Sequence, residues 1–306
     1  MNRMKQDRRS FMKNTSLALS GISIFGPLEA FNRNVIKENF KLEIYATNWG
    51  FKGSMGAFCQ KAKEAGYDGV EVWTPGNQQD ADDLLKAVQK HDLKLGLLAG
   101  NGGSSYEEHF SSFKRSINNA IKLVPEFINC HSGKDYFNTD QNAQFISFAN
   151  QQRQLSGIPI CHETHRGRIL YSAPTANHFI DKFADLRLTL DISHWCCVHE
   201  SLLADQKATI DKALRRVDHI HSRIGFPEGP QIPNHDDPQY EAAVQAHFTW
   251  WDEVLRIKSE KGEKLTMTAE FGPPPYMWTH PYDGKPLADV WDVNLAMMQL
   301  WKNRYL

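Results

Sequence analysis

No stretch of the 306-residue chain approaches the ~20 consecutive apolar residues of a membrane-spanning helix, so no integral membrane segment is expected. Cysteine is sparse. The five present, Cys59, Cys130, Cys161, Cys196 and Cys197, are odd in number and lack framework spacing, which argues against a disulfide scaffold. An excess of basic residues is also missing. Setting aside residues 1–30, which hold five of the chain's 35 Lys/Arg and two of its 36 Asp/Glu, leaves a body with a formal charge of −4. Nucleic acid is therefore not an expected partner, because its binding depends on neutralising phosphates. The overall balance likewise gives no positive reason to expect a phosphorylated substrate. Residues 39–306 contain no internal repeat, low-complexity tract or linker.

What is present fits one large domain. Hydrophobic residues make up 41% and charged residues 23% of the chain, which is ordinary for a globular protein. The length suits a single α/β barrel of eight strands and eight helices, for which ~250 residues is typical. The first 38 residues differ in character. Asp7-Arg8-Arg9-Ser10-Phe11-Met12-Lys13, followed by a mildly apolar stretch to Pro27, resembles a twin-arginine export signal. The expected organisation is therefore an export signal and linker over 1–38 and a barrel over 39–306, in an exported or periplasmic protein. A basic N-terminal arm is the plainer alternative.

Four short apolar runs that read as strands each carry a residue of metal-ligand type towards their end: Ile-Pro-Ile-Cys-His-Glu-Thr-His (158–165), Arg-Leu-Thr-Leu-Asp-Ile-Ser-His-Trp (187–195), Asp-His-Ile-His-Ser-Arg (218–223) and Leu-Thr-Met-Thr-Ala-Glu-Phe-Gly (265–272). Their spacing leaves room for a helix between each pair, as consecutive strands of a parallel barrel require. Glu163, Asp191, His221 and Glu270 would then converge at the C-terminal ends of the strands. Side chains two apart share a strand face. Thr189 with Asp191, and Thr266 and Thr268 with Glu270, face the interior, while Leu188, Leu190, Leu265 and Met267 face covering helices. His219 lies below His221 as a structural histidine. Glu71 reads as a buried mid-barrel residue outside the site.

The earlier strands read as 42–48, 69–74, 94–99 and 126–131, with helices over 55–65, 80–91, 106–123 and 139–155. Later helices are expected over 175–186, 199–217, 239–260 and 288–305. The loops 224–238 and 272–287 are long and rich in Pro, Gly and aromatics, as befits a substrate pocket at one barrel end.

The strand-end order Glu, Asp, His, Glu, together with Gly-Tyr-Asp-Gly-Val-Glu-Val-Trp (66–73), His-Glu-Thr-His-Arg (162–166), Leu-Asp-Ile-Ser-His-Trp (190–195), His-Ile-His-Ser-Arg (219–223) and Ala-Glu-Phe-Gly (269–272), resembles the xylose-isomerase-like superfamily of sugar isomerases and epimerases. The likeness spans nearly all of residues 41–306. It implies one divalent metal, manganese first with zinc or magnesium as alternatives, held by Glu163, Asp191, His221 and Glu270. It also implies that His194 contacts substrate oxygens. The ketose 3-epimerases of the superfamily carry an arginine several residues beyond the metal histidine; here the nearest is Arg223, two positions on.

The resemblance implies a metal-dependent carbohydrate isomerase or epimerase that removes a proton beside a carbonyl and passes through an enediolate, the metal taking up the charge. Glu163 and Glu270 would be the acid and base on opposite faces. Arg223, His165, Trp73 and His131 complete the expected substrate contacts, though each is matched by a structural reading as a rim or packing residue. Elimination from a 3-keto-glycoside would use the same metal and base and stands as the alternative chemistry. A sugar-binding barrel without catalysis and an apurinic endonuclease are further readings, the last disfavoured by the acidic body. The expected partner is a small carbohydrate, and the sequence leaves room for a homo-oligomer.

Overall fold

Eight strands close into a parallel barrel in chain order: β1 (Lys41–Thr47), β2 (Gly69–Trp73), β3 (Lys94–Gly100), β4 (Phe127–His131), β5 (Ile160–Glu163), β6 (Leu188–Leu190), β7 (Val217–His221) and β8 (Lys264–Ala269). β8 pairs with β1 over six residues and completes the closure. This computed structural model describes residues 31–306, so the expected export signal lies outside the described residues. The helices are α1 (Met55–Ala65), α2 (Gln78–Lys90), α3 (Tyr106–Lys122), α4 (Thr139–Ser156), α5 (Ala173–Lys182), α6 (Ser193–Val198), α7 (Lys207–Leu214), α8 (Glu241–Lys261) and α9 (Val290–Tyr305). Among the described residues no helix is long and apolar enough to cross a membrane. The (β/α)8 expectation holds.

Local chemistry sets most helix ends. The side chains of Ser54, Asn77, Ser105, Asn138, Ser172 and Asp289 each accept a hydrogen bond from a first-turn N–H, which satisfies donors that the helix itself leaves unpaired. Gly66, Gly157 and Gly262 end α1, α4 and α8 in the left-handed conformation.

The expected boundaries fail most around β6. The strand stops at Leu190 instead of running on to Trp195, and a short helix, α6, takes up Ser193–Val198. The Asp191 carboxylate accepts from both the Ser193 amide and its hydroxyl, and the Trp195 and Cys196 amides reach back to Ile192 O. An aspartate that binds the backbone two residues ahead turns the chain, and here that overrides the alternating pattern. The helix expected over 199–217 is accordingly shortened to α7.

Inside the barrel, bulky and absent side chains alternate between neighbouring strands. The Tyr45 ring fills the space that Gly69 leaves, and Phe127 fills that of Gly96; a Cβ on either glycine would fall 2.4 Å from the opposing ring. Tyr45 and Phe127 meet edge-to-face at 5.1 Å. Below them Glu43, buried, pairs with Lys94 and lies 3.5 Å from Lys264. The base of the two strands that carry Asp191 and His221 is tied by Arg187, which donates to Asp218, while Lys258 from α8 reaches the same carboxylate. Burial opposes ionisation of Asp218, but these two cations hold its carboxyl below the usual range. Residues just before β1 pack on the last two helices: Phe31 meets Tyr305 edge-to-face, and Lys37 N donates to Ser259 Oγ.

Packing of this kind tolerates little added volume. Gly69→Ala should lower stability by about 1–3 kcal/mol in urea unfolding, because the new methyl meets both the Tyr45 ring and the Lys94 carbonyl. Gly76→Ala, where a Cβ meets nothing within 4 Å, is the control and should change stability little. Equal unfolding midpoints for the two variants would contradict this account of the barrel floor.

Candidate metal centre

Period-two alternation carries four polar side chains to the barrel mouth. Glu163 ends β5, Asp191 follows β6, His221 ends β7 and Glu270 follows β8, all buried. One ligand atom from each can be chosen so that all four lie within 4.8 Å of one another. His221 Nδ1 is 3.0 Å from Glu270 Oε2 and 3.6 Å from Glu163 Oε2. The structure thus brings together the whole ligand set expected from the sequence.

The imidazole is aimed from below. Glu71, fully buried on β2, accepts from His221 Nε2 at 3.1 Å, from His219 Nε2 at 3.2 Å and from the Thr268 hydroxyl. Burial works against the ionised form of Glu71, but the neighbouring His221 and His219 hold its carboxyl far below the usual range. With Nε2–H committed to Glu71, His221 presents Nδ1 to the mouth, the arrangement by which a carboxylate fixes the tautomer of a ligating histidine. His219 is satisfied at its other nitrogen by Thr266, 2.7 Å away, as expected of a structural histidine. Glu71 itself must be moved into the site's supporting layer. Its parity with Gly69 and Trp73 was the available signal, but its contacts are made across the barrel, 148 and 150 residues away.

Glu163 is held on one side only. Asn129 donates to its Oε2 at 2.8 Å and His131 Nε2 lies 2.7 Å from the same oxygen. Burial disfavours its charge, yet His131 and His221 hold the carboxyl well below the ordinary range. Its other oxygen, Oε1, is buried without a hydrogen-bond partner, as are Glu270 Oε2 and His221 Nδ1. Glu270 Oε2 and His221 Nδ1 still lie within ion-pairing distance of each other, so Glu163 Oε1 is the atom left bare, which is costly. Carboxylate oxygens and an imidazole nitrogen form a set that could hold a hard or borderline divalent cation. Asn129 shares the inward parity of His131 on β4 and was legible there, but was not singled out.

Asp191 is more fully engaged than the other three. One oxygen takes the Ser193 donors; the other takes the Arg223 guanidinium, which is itself buried and lies 3.6 Å from Glu270. Burial pushes the Asp191 carboxyl up to about 6, opposed by Arg223 and reinforced by the nearby glutamates. Arg223 also donates to His194 Nε2 at 2.8 Å. Because arginine cannot accept, Nε2 is the acceptor and the neutral His194 ring carries its proton on Nδ1, which is buried and has no partner. Burial, His165 and Arg223 keep this ring neutral. His165 is the converse case. Its Nδ1 faces the Arg166 carbonyl and therefore donates, and burial, with His131, pushes the ring down to about 3.

The three histidines form a row of mutually tilted rings along the mouth, His131 to His165 at 4.8 Å and His165 to His194 at 3.9 Å. Trp73, 53% exposed, meets His131 edge-to-face at the rim. Tyr276, from the loop after β8, lies over both Arg223 and Arg166 at 4.7 and 5.2 Å and packs on Trp49. It lines the site, whereas Trp278 packs outward on Phe226 and Tyr240.

Comparison with known proteins agrees with this architecture. The sequence profile described as xylose isomerase-like TIM barrel matches residues 59–228. Among solved structures, the 3-keto-D-glucoside 4-epimerase from E. coli is similar with a TM-score of 0.56 at 13% identity, covering 86% of this chain and 100% of that one. A D-tagatose 3-epimerase-like protein gives 0.57 at 14% identity, over 85% of this chain and 97% of that one. An AP endonuclease, family 2, from Brucella melitensis gives 0.51 at 16% identity, over 76% and 93%. No curated protein matches the sequence. At these identities the structures attest the fold, and the profile, which spans more than half of the sequence, attests the lineage: the chain belongs to the xylose isomerase-like TIM barrel family.

Proposed function

We propose that this protein is a divalent-metal-dependent carbohydrate isomerase or epimerase that moves a proton on a carbon beside a carbonyl. The observation that carries the reading is the convergence of Glu163, Asp191, His221 and Glu270, with Glu163 Oε1 buried and unpartnered and His221 Nδ1 facing Glu270 Oε2 at 3.0 Å. The fold it shares with proteins named as sugar epimerases supports the choice of substrate class. Manganese, zinc or magnesium bound there would act as a Lewis acid on the substrate carbonyl and lower the cost of the charge that develops as the neighbouring proton leaves.

The chain's own residues divide the remaining work. Glu163 has one oxygen fixed by Asn129 and His131 and the other free, so its carboxylate is oriented and ionised, as a general base must be. Glu270 comes from the opposite side of His221 and would return a proton to the other face, inverting the carbon. His194 Nδ1–H is a buried donor for a sugar hydroxyl, and its neutrality assigns it to binding and orientation rather than acid catalysis. Arg223 holds Asp191 and His194 in register. Trp73 and Trp49 offer apolar faces to sugar C–H groups at the rim.

Elemental analysis of the purified protein should find about one divalent ion per chain, with most of it lost in Asp191→Asn. Glu71→Gln, which leaves all four ligands in place, should weaken metal affinity by about 10–100-fold through the loss of imidazole orientation. Metal absent from the folded parent even after loading would remove the basis of the reading. In D2O, the loaded enzyme should exchange the proton beside the carbonyl of its ketose substrate, and Glu163→Gln should slow that exchange by at least about 100-fold. Release of an aglycone from 3-keto-glycosides in place of exchange would establish elimination; neither reaction across a broad panel would leave sugar binding without catalysis.

A further inference from the structure

The loops after β4 and β5 bring together two cations that nothing in the described chain neutralises. The Ile169 amide donates to Ser132 O at 3.1 Å, and Gly133 has no room for a Cβ because Ile169 and Asn142 lie against it. Lys134 and Arg168, each next in the chain to a residue of this seam, are thereby brought into one neighbourhood and are half-buried. Among the described residues neither side chain has a hydrogen-bond or ion-pair partner, and Arg168 Nη1 is buried with none. The barrel's other well-packed cations are treated differently: Lys94, Arg187, Arg223 and Lys258 each meet a carboxylate.

Two like charges held close, with part of their hydration removed, are costly unless an anion joins them. Burial and the Arg168 charge both push the Lys134 ammonium down, and burial pushes the Arg168 guanidinium down as well. The acidic side chains within their field do not fill the role. Asp135 is exposed and forms no ion pair with either, and Glu163 is already held by Asn129 and His131. Tyr136 is exposed, and His109 beside them is turned towards Asn101. Arg168 nevertheless feels the charges of Glu163 and Tyr276, and the loops that carry the pair leave β4 and β5 at the end where His131 and Glu163 stand.

We propose that Lys134 and Arg168 form an anion subsite that receives a carboxylate or phosphate group of the sugar while its carbonyl lies at the Glu163 end. Guanidinium and ammonium donors are suited to both groups. The inference rests on the reading of the mouth as a carbohydrate site. It also separates net charge from local charge, since the acidic body gives no hint of an anionic ligand.

The test is calorimetric titration of the full chain, metal-free and metal-loaded, with D-glucuronate, glucose 6-phosphate and D-glucose. At least one anionic sugar should bind about tenfold or more tightly than glucose, and Lys134→Gln and Arg168→Gln should each remove about tenfold of that preference while leaving glucose unchanged. The preferred anion identifies carboxylate or phosphate as the group received. Should Arg168→Gln fail to fold by thermal unfolding, Lys134→Gln alone carries the comparison. No preference for either anion, or a preference that survives both substitutions, would overturn the subsite. An anion preference lost in the variants of a protein that takes up no metal would uphold the subsite and overturn the metal-dependent reading instead.

Discussion

A carboxylate at the centre of the barrel, far from solvent, is the constraint on which the rest of the mouth depends. Glu71 is fully buried and would be expensive to ionise there were it not for the two imidazoles and the hydroxyl that surround it. The arrangement works in both directions. The histidines make the charge tolerable, and the charge decides which nitrogen each histidine turns upward. His221 is the one that reaches the mouth, since with Nε2 occupied from below only Nδ1 can face Glu163 and Glu270. A closed sheet makes this practical, because β2 and β7 face one another across a narrow interior and meet only when the barrel is complete.

The mouth above Glu71 concentrates three carboxylates, and their mutual repulsion must be met by cations. Arg223 is one built in, and at His221 the surrounding glutamates outweigh burial and raise the affinity of the imidazole for a proton, as they would for another cation in its place. Arg223 is buried, straddles Asp191 and His194, and lies beneath Tyr276. Its departure from the epimerase pattern, an arginine two residues after the ligand histidine, has a structural sense. At this spacing the side chain rises from the same strand face as His221 and reaches Asp191 on the neighbouring strand. It therefore acts as a brace for Asp191 rather than as a free arm over the pocket.

The strands and the convergence of Glu163, Asp191, His221 and Glu270 were legible because a period of two is local and ends at a turn. Leu188, Thr189, Leu190 and Asp191 announce their faces within four residues. Less legible were the contacts that closure creates. Nothing near Glu71 in the sequence points to His221, and nothing near Asn129 points to Glu163, since both partnerships depend on register around the barrel. The turn at Asp191 was hidden for a different reason: Leu-Asp-Ile-Ser-His-Trp alternates like a strand, yet the aspartate side chain captures the Ser193 amide and starts α6. That turn places His194 beside Arg223.

Chemistry and selectivity are carried by different parts of this chain. The clustered carboxylates and His221 stand on strand ends whose positions are set by the barrel, while the walls come from loops. The two longest of these are joined: Gln231, buried in the loop after β7, both donates to and accepts from the backbone of Gly272 after β8, at 3.1 and 2.8 Å. Phe226 and Trp278 add an aromatic contact between the same two loops. A paired amide contact of this kind ties the position of Tyr276, and with it the lid over Arg223, to the path of the β7 loop. The wall on that side is therefore one linked surface of aromatic and guanidinium groups. The β4 and β5 side is stitched separately through Ser132 and Ile169 and presents unpaired cations. The mouth is thus bounded by two unlike walls, an asymmetry that the carboxylates at the strand ends do not by themselves provide.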